Sequence, residues 1–140
     1  PVFIARRLVI FASEDIGNAD PSALTLATAA LTAVSNIGMP EARINLAQAT
    51  TYLAATVKSN ASYKAIDAAL EFVAQNKTIE IPDHLKNYPP KGAKPYLYPH
   101  SYPSHFVKQE YTKEEIPKFY NPSDIGREKI LKERLNALWN

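Results

Sequence analysis

Three histidines and the adjacent carboxylates of Glu14 and Asp15 are the side chains of this 140-residue chain that come first when chemistry is sought. His100 and His105 stand five residues apart in a proline-containing segment without cysteine, and His84 is remote from both, so we expect structural or surface histidines rather than a zinc site. Glu14 and Asp15 are neighbours on a helix and point in different directions, which disfavours shared acid/base work. We predict no catalytic residue and no metal site.

Nucleotide chemistry would require a glycine-rich phosphate-binding loop, and the sequence contains none. Its four glycines, Gly17, Gly38, Gly92 and Gly126, are far apart. No Gly-x-x-x-x-Gly-Lys-Ser/Thr run is present to cradle phosphates with backbone N–H groups. We therefore expect this chain to hold no cofactor and not to hydrolyse ATP by itself.

Two polar stretches leave a binding function open. Lys58, Ser59 and Asn60 form a cationic loop at the start of a helix, where N–H groups can face an anion, although a capped surface turn would look the same. Lys91 and Lys94 lie in a tail that alternates lysines with tyrosines, a combination used to bind single-stranded nucleic acid. The rings could equally pack on the helices. We take these five residues as candidate DNA or anion contacts.

Composition places the chain among globular proteins, with 46% hydrophobic and 21% charged residues. A net charge of +2 is too small to indicate nucleic-acid binding by the chain as a whole. The absence of cysteine fits a reducing compartment. No apolar run reaches transmembrane length, so we expect no membrane partner. The chain begins at Pro1, without methionine and already in a helical pattern, and we interpret it as part of a longer protein.

Hydrophobic periodicity predicts four helices in residues 1–76. The first, residues 2–16, is apolar on most sides and should be buried nearly all round. The others carry one apolar stripe each: Leu24, Ala27, Leu31 and Val34; Ala42, Leu46, Ala49, Leu53 and Val57; Tyr63, Ile66, Leu70 and Val73. Because the connections are short, the four helices should form an antiparallel array.

Residues 77–140 differ in composition, since eight of the eleven prolines and six of the eight tyrosines fall there. Prolines forbid a long helix between residues 86 and 121, whereas the tyrosines argue against disorder. We expect an extended strap whose rings dock on the helices, with a short hairpin around residues 96–98 and 106–107. Ser123 should cap a last helix, on which Glu128 and Lys132 form a surface ion pair.

The sequence thus predicts an all-α fold: an antiparallel helical array with an extended Pro/Tyr-rich strap and a C-terminal helix. Residues 1–76 would form a four-helix core. Residues 77–140 would form the strap and the last helix packed on that core, giving one domain overall.

Several long patterns resemble one protein family. They are Gly38-Met-Pro-Glu-Ala-Arg-Ile, Leu46-Ala-Gln-Ala, Lys58-Ser-Asn-Ala with Tyr63, Glu14-Asp-Ile-Gly-Asn-Ala-Asp-Pro, Tyr96-Leu-Tyr-Pro-His, Phe119-Tyr-Asn-Pro and Gly126-Arg-Glu. Together they resemble the C-terminal region of the RarA/MgsA family, the replication-associated recombination AAA+ ATPases related to the Werner-helicase-interacting ATPases.

The resemblance implies a helical domain similar to clamp-loader collars that holds a homotetramer together. The full-length protein would be a DNA-dependent ATPase acting in DNA replication, recombination and damage tolerance at stalled forks, with ATP and Mg in an upstream domain. Its implied partners are DNA and further copies of itself, with single-strand-binding protein and other replication proteins as additional candidates. The implied location is the bacterial cytoplasm, at the nucleoid. The alternative is a nucleic-acid-binding module that uses the basic, Tyr-rich tail.

Four apolar residues are our candidates for the subunit interface. Phe3 and Ile10 belong to the first helix, which has apolar residues on more faces than one neighbour can cover. Leu46 and Leu53 belong to the third helix, whose many small residues permit close helix contacts.

Overall fold

The computed structural model describes residues 1–75 and 78–139, and within these ranges the chain forms five α-helices and no strand. The helices are α1 (Val2–Phe11), α2 (Ser22–Ile37), α3 (Ala42–Ala55), α4 (Ala61–Gln75) and α5 (Glu128–Trp139). The all-α prediction, with a long non-helical strap before a C-terminal helix, is confirmed. The predicted division between residues 76 and 77 lies outside the described residues and stays a prediction.

Helices α1, α2 and α3 pack against one another and form the core. Tyr52 near the end of α3 reaches Asp20 just before α2, so these two helices run antiparallel. The first half of α1 packs near Val34 and the second half near Ala23, so α1 is also antiparallel to α2. The core is built from small side chains, because eight of its eleven buried hydrophobic residues are alanines.

The first helix differs from its prediction in length and burial. Helix α1 ends at Phe11, and a π-helical turn, Ala12–Ile16, followed by a 3-10 turn, Gly17–Ala19, leads toward α2. The expectation of burial on nearly all sides is wrong within this chain: Phe3 is 72% exposed, and Ile4 and Ile10 are exposed too. The reason is that α2 and α3 cover only one side of α1.

Helix α4 forms where predicted, but its stripe does not enter the core. Ile66, Leu70 and Val73 are exposed, and no residue of α4 is fully buried. The main helix-side contacts of α4 are with residues 12–19, and Phe72 packs against Phe119 of the strap with ring centroids 5.5 Å apart. The stripe was predicted to face the other helices; instead it lies on a neighbouring, uncovered side of α4.

The strap has no long helix, as predicted, and contains 3-10 turns at Asp83–Leu85, Pro99–Ser101 and Pro103–His105. The expected hairpin is not a strand pair in the described residues. Its place is taken by the side chain of Gln109, which accepts from the Leu97 N–H (3.2 Å) and donates to the Leu97 carbonyl (2.9 Å). The expected docking of rings on the helices is largely wrong, since five of the six strap tyrosines are exposed and Tyr120 is the exception.

The start of α5 also differs from its prediction. The ion pair between Glu128 and Lys132 is wrong, because Glu128 is buried and Lys132 instead meets Asp124 at 2.6 Å. Ser123 lies five residues before the helix begins and bonds the Glu128 carboxylate and the Ile125 N–H. A glutamate at the first helical position can turn back toward preceding donors, and here it turns inward.

Candidate functional site

The motif that runs from residue 14 to residue 20 is the junction between the core, α4 and the C-terminal segment. The Asn18 side-chain amide donates to the Ser62 hydroxyl of α4 and to the Tyr120 hydroxyl of the strap, both at 3.1 Å. The Ile16 carbonyl accepts from the Ser59 N–H at 3.3 Å. These bonds join three separate parts of the chain, and we call this set of contacts, with those of Glu128 described next, the polar hub.

Glu128 is the buried charged residue of the polar hub, with 0% of its surface exposed. Its carboxylate accepts from the Ser123 hydroxyl (2.6 Å), the Ser123 N–H (3.1 Å) and the Tyr120 hydroxyl (2.8 Å), and also from Ser59. Desolvation, the largest single influence, raises the pKa of Glu128, but the hydrogen bonds from Ser123, Ser59 and Tyr120 together outweigh it and hold the pKa below its usual value. The carboxylate is saturated with donors and has no free face for a substrate.

Two glycines let backbones approach closely within the polar hub. The Arg127 N–H donates to the Ala19 carbonyl at 2.9 Å. A Cβ on neighbouring Gly126 would lie 2.2 Å from the Ala19 oxygen, and one on Gly17 would lie 2.8 Å from the Ser59 oxygen. Both glycines have positive φ. The glycines of both family-like motifs are therefore required by packing.

Asp20 closes the other side of the junction. Its carboxylate accepts from the Tyr52 hydroxyl (2.6 Å), the Thr56 hydroxyl (2.7 Å) and the Ser22 N–H (3.1 Å). The hydrogen bond from Tyr52, ahead of the one from Thr56, lowers the pKa of Asp20. Asp20 thus binds the Ser22 N–H at the start of α2 and also fixes the end of α3.

The loop of residues 58–60 is occupied by contacts within the chain. The Lys58 ammonium donates to the carbonyls of Ala54 (3.0 Å) and Thr56 (2.9 Å) and lies 6.0 Å from the centroid of the Phe11 ring. Ser59 accepts from the Ala61 N–H at 3.3 Å. Asn60 is exposed, and its carbonyl accepts from the Lys64 N–H. Lys58 therefore serves the carbonyl end of α3, a role that cations commonly fill.

The remaining candidate contacts lie elsewhere in the strap. Lys91 and Lys94 are exposed on a turn closed by the Ala93 N–H donating to the Pro90 carbonyl, and the strap shows no contact that would gather them with Lys58. Two other tail lysines are engaged internally: Lys86 pairs with Asp83, and Lys108 donates to the Trp139 carbonyl. A continuous basic, aromatic surface for nucleic acid is not favoured by this arrangement.

The histidines do not gather with other metal ligands. His100 and His105 stack with ring centroids 5.0 Å apart on the exposed strap, and His84 lies in the separate turn Asp83–Leu85. Within residues 1–75 and 78–139, no three His, Asp or Glu side chains are arranged to hold a metal ion.

The predicted interface residues fall into two groups. Phe3 and Ile10 lie on the exposed side of α1, whereas Leu46 is half-buried against Ala5 and Val34. Leu53 is 1% exposed and belongs to the core, so it has no surface to offer a partner and is removed from the candidates. Leu46 and Leu53 lie on one regular stripe, so the periodicity of α3 did not distinguish a core position from an interface position.

The sequence analysis missed the exposed apolar face of α4, which consists of Ile66, Leu70 and Val73. The half-buried side of α4 is formed by Ala65, Ala69 and Phe72, which are neighbours of that stripe around the helix. This second set of apolar positions was the available signal. A helix with two adjacent apolar sides has more apolar surface than one neighbour covers.

None of the described helices combines the length and the apolarity needed to cross a bilayer.

Comparison with known proteins identifies the family. The family model described as MgsA AAA+ ATPase C terminal matches residues 1–139. The chain is 43% identical over 146 aligned residues to an uncharacterized AAA domain-containing protein of Mycobacterium tuberculosis, covering 99% of this chain and 32% of that protein. Proteins named replication-associated recombination protein A are 40% identical in Coxiella burnetii and 39% identical in Bacillus subtilis, with 96% of this chain covered in each and 33% and 34% of those proteins.

The chain spans about a third of the length of these curated relatives. Nearly all of this chain is covered in each comparison, so the part of the chain that carries the motifs is matched in all three relatives. The chain belongs to the family of MgsA AAA+ ATPase C-terminal domains, found in proteins of replication-associated recombination.

Proposed function

We propose that this chain is the assembly domain of a replication-associated recombination ATPase, and that it joins four subunits through the exposed apolar faces of α1 and α4. On α1, Phe3 and Ile10 share one side and Ile4 lies on the neighbouring side; on α4, Ile66, Leu70 and Val73 form the second face. The family membership supports the setting, and the distribution of apolar side chains supports the role.

That distribution is the observation on which the proposal depends. Folded chains usually bury their large apolar residues first, and alanine contributes little area. Here the core is mostly alanine, whereas Leu70 is 61% exposed on a helix with no fully buried residue. Soluble monomers seldom leave contiguous apolar faces of this kind in water, and a closed symmetric assembly would cover them.

In this proposal, ATP hydrolysis by the whole protein takes place in the part of the protein that lies outside this chain. ATP and Mg would bind in the upstream AAA+ domain, because this chain lacks a phosphate-binding loop. DNA, single-strand-binding protein and other replication proteins would be partners of the assembled protein. The domain described here would set the spacing of the ATPase domains.

Charge substitution on α4 tests the proposal. Leu70→Glu places a carboxylate in the proposed interface, where burial without a partner is unfavourable, and should dissociate the assembly. Ala68→Glu is the matched control, since it adds the same charge to the exposed polar side of the same helix. Sedimentation velocity at tens of micromolar should show smaller particles for Leu70→Glu only.

Circular dichroism on the same samples should show unchanged helix content for both variants, because neither position is in the core. If Leu70→Glu and Ala68→Glu sediment alike, the face of α4 is not an interface and the proposal in this form is wrong.

A further inference from the structure

A groove of about 1010 Å³ lies between strap residues 109–122 and helix α5. Its apolar lining includes Tyr111, Ile116, Leu135 and Trp139. Trp139 is held in place, because the Phe106 ring meets it edge-on at 5.1 Å and Lys108 donates to its carbonyl at 3.0 Å. The groove is as large as typical ligand sites of about 300–1,000 Å³.

A proline-rich segment of the same strap is unusually exposed. We call residues 86–95 the arm. Tyr88 is 94% exposed, the highest value among the large apolar side chains described. Lys86 has φ −75° and ψ 145°, the values of a polyproline II helix, and the residues before Pro89 and Pro90 are restricted to similar conformations. The chain bends at residues 86–88, and the pair Pro89-Pro90 that follows offers a short, conformationally restricted segment beside an uncovered aromatic ring.

The arm turns back after its prolines and presents two cations. The Ala93 N–H donates to the Pro90 carbonyl at 3.0 Å, and Gly92 has φ +90°, as the third residue of a type II turn requires. Lys91 and Lys94 are exposed on either side of that glycine. The tip of the arm is thus basic and directly follows the proline pair.

The groove has matching dimensions and charge. Lys132 to Trp139 along α5 spans about 10 Å, and three polyproline residues span about 9 Å. Two of the three lysines that line the groove are already paired, Lys113 with Glu80 and Lys132 with Asp124, each at 2.6 Å. With those two lysines neutralised, Glu110, Glu114 and Glu115 outweigh Lys118 and leave the lining with a net negative charge, opposite to that of the arm.

We propose that this groove receives the arm of a second copy of the chain, with Tyr88, Pro89 and Pro90 against Trp139 and Tyr111, and Lys91 and Lys94 near Glu110 and Glu115. Aromatic-lined grooves recognise polyproline II segments because little chain entropy is lost on binding. In the chain itself the arm is exposed and does not fill the groove. The inference rests on the proposed self-association and adds an arm exchange between subunits to it.

A peptide titration tests recognition by the groove. Trp139 is the single tryptophan, so its emission reports on the groove alone. An acetylated, amidated peptide of residues 86–96, added to the Tyr88→Ala chain, should shift that emission. A peptide with Pro89 and Pro90 replaced by alanine should bind about tenfold more weakly, since its conformation is no longer preformed. No change in emission up to about 1 mM peptide would overturn the proposal.

Cysteine cross-linking tests whether the arm comes from a second copy. The chain has no cysteine, so introduced ones are unique. A Lys91→Cys chain enlarged by a tag is mixed with an untagged Glu115→Cys chain and oxidised. A product of their summed mass should form, and a tagged Lys64→Cys control, on the polar side of α4, should yield at least about tenfold less.

The doubly substituted Lys91→Cys/Glu115→Cys chain completes the test. Cross-links between chains are expected from it. A cross-link within one chain, or none, would overturn arm exchange even if the peptide binds. Peptide binding can be measured on a monomeric chain, so a failure of the groove proposal and a failure of self-association through α1 and α4 give different results.

Discussion

The polar hub and the exposed face of α4 are adjoining parts of the molecule with opposite character. In the polar hub, Asn18 and Glu128 have their hydrogen bonds filled by other parts of the chain. On α4, Ile66 and Leu70 are apolar and uncovered. The polar and charged residues of the polar hub therefore stabilise the fold. The apolar stripe of α4, whose spacing is typical of core residues, is available to a partner.

The difference shows that residue type alone does not indicate function here. The motif at residues 14–20 contacts α3, α4 and the strap, so the side chains of Asn18 and Asp20 each have a structural task. The apolar face of α4 has none within the chain. Substitutions in the polar hub should therefore change stability, and substitutions on the face should change association.

The largest effect should follow from adding one methyl group at Gly126. In Gly126→Ala the new Cβ would lie 2.2 Å from the Ala19 carbonyl oxygen, and the backbone has φ +55°. We expect a loss of about 3–5 kcal/mol in the free energy of unfolding, from the clash and the detached strap. Urea titration followed by circular dichroism measures it.

Gly92→Ala is the matched control, because Gly92 also has positive φ but no atom within 4 Å of its would-be Cβ. It should lose only about 1 kcal/mol from backbone strain. Equal losses at the two glycines would show that the close contact between Gly126 and Ala19 does not matter.

A smaller effect should follow from Glu128→Gln. Replacing the carboxylate weakens the bonds from Ser123 and Tyr120, and we expect a loss of about 2–3 kcal/mol at neutral pH. Glu133→Gln, at an exposed position of the same helix, should change stability by less than about 0.5 kcal/mol.

The pH dependence separates charge from packing at Glu128. Its pKa in the folded chain is lowered from an unfolded value near 4.3, so the carboxylate stabilises the fold above about pH 4.3 and loses this contribution as the pH falls through the folded pKa. The difference between the original chain and Glu128→Gln should therefore shrink in acid. A difference that is the same at neutral pH and at about pH 3 would exclude a charge effect.

The smallest effect should be that of Lys58→Ala. The ammonium bonds two carbonyls at the end of α3 and is exposed, so we expect a loss of about 0.5–1 kcal/mol. Lys64→Ala, on the exposed polar side of α4, should leave the unfolding curve unchanged. A stable Lys58→Ala chain that instead loses affinity for a phosphate-containing ligand would restore the anion-site hypothesis for residues 58–60.

The sequence predicted the elements of this fold better than their partners. Periodicity placed α2, α3 and α4 to within a few residues, because amphipathic spacing is a local property. It did not distinguish Leu53, which is in the core, from Leu70, which is on the surface, since both lie on regular stripes. The burial of Glu128 could not be predicted from the sequence either, because its hydrogen-bond donors come together only in the folded chain. These donors are Tyr120, Ser123 and Ser59.

The candidate sites show the same limit. Phe3 and Ile10 could be named because α1 is apolar on too many sides for one neighbour. The sequence suggested that Lys58 could bind an anion. In the structure its ammonium donates to two backbone carbonyls, whose positions depend on where α3 ends. The arm and the groove are formed by different parts of the chain. Their similar length and opposite charge can be recognised only in the three-dimensional structure.

The mass of the unaltered chain in solution tests the central claim most directly. Light scattering across a dilution series from tens of micromolar downward should return a mass approaching four times the 15.5 kDa of one chain at the upper end. It should fall toward smaller species on dilution, as the apolar faces of α1 and α4 separate. A mass of 15.5 kDa at every concentration, with full helix content, would contradict the claim that these faces assemble the protein.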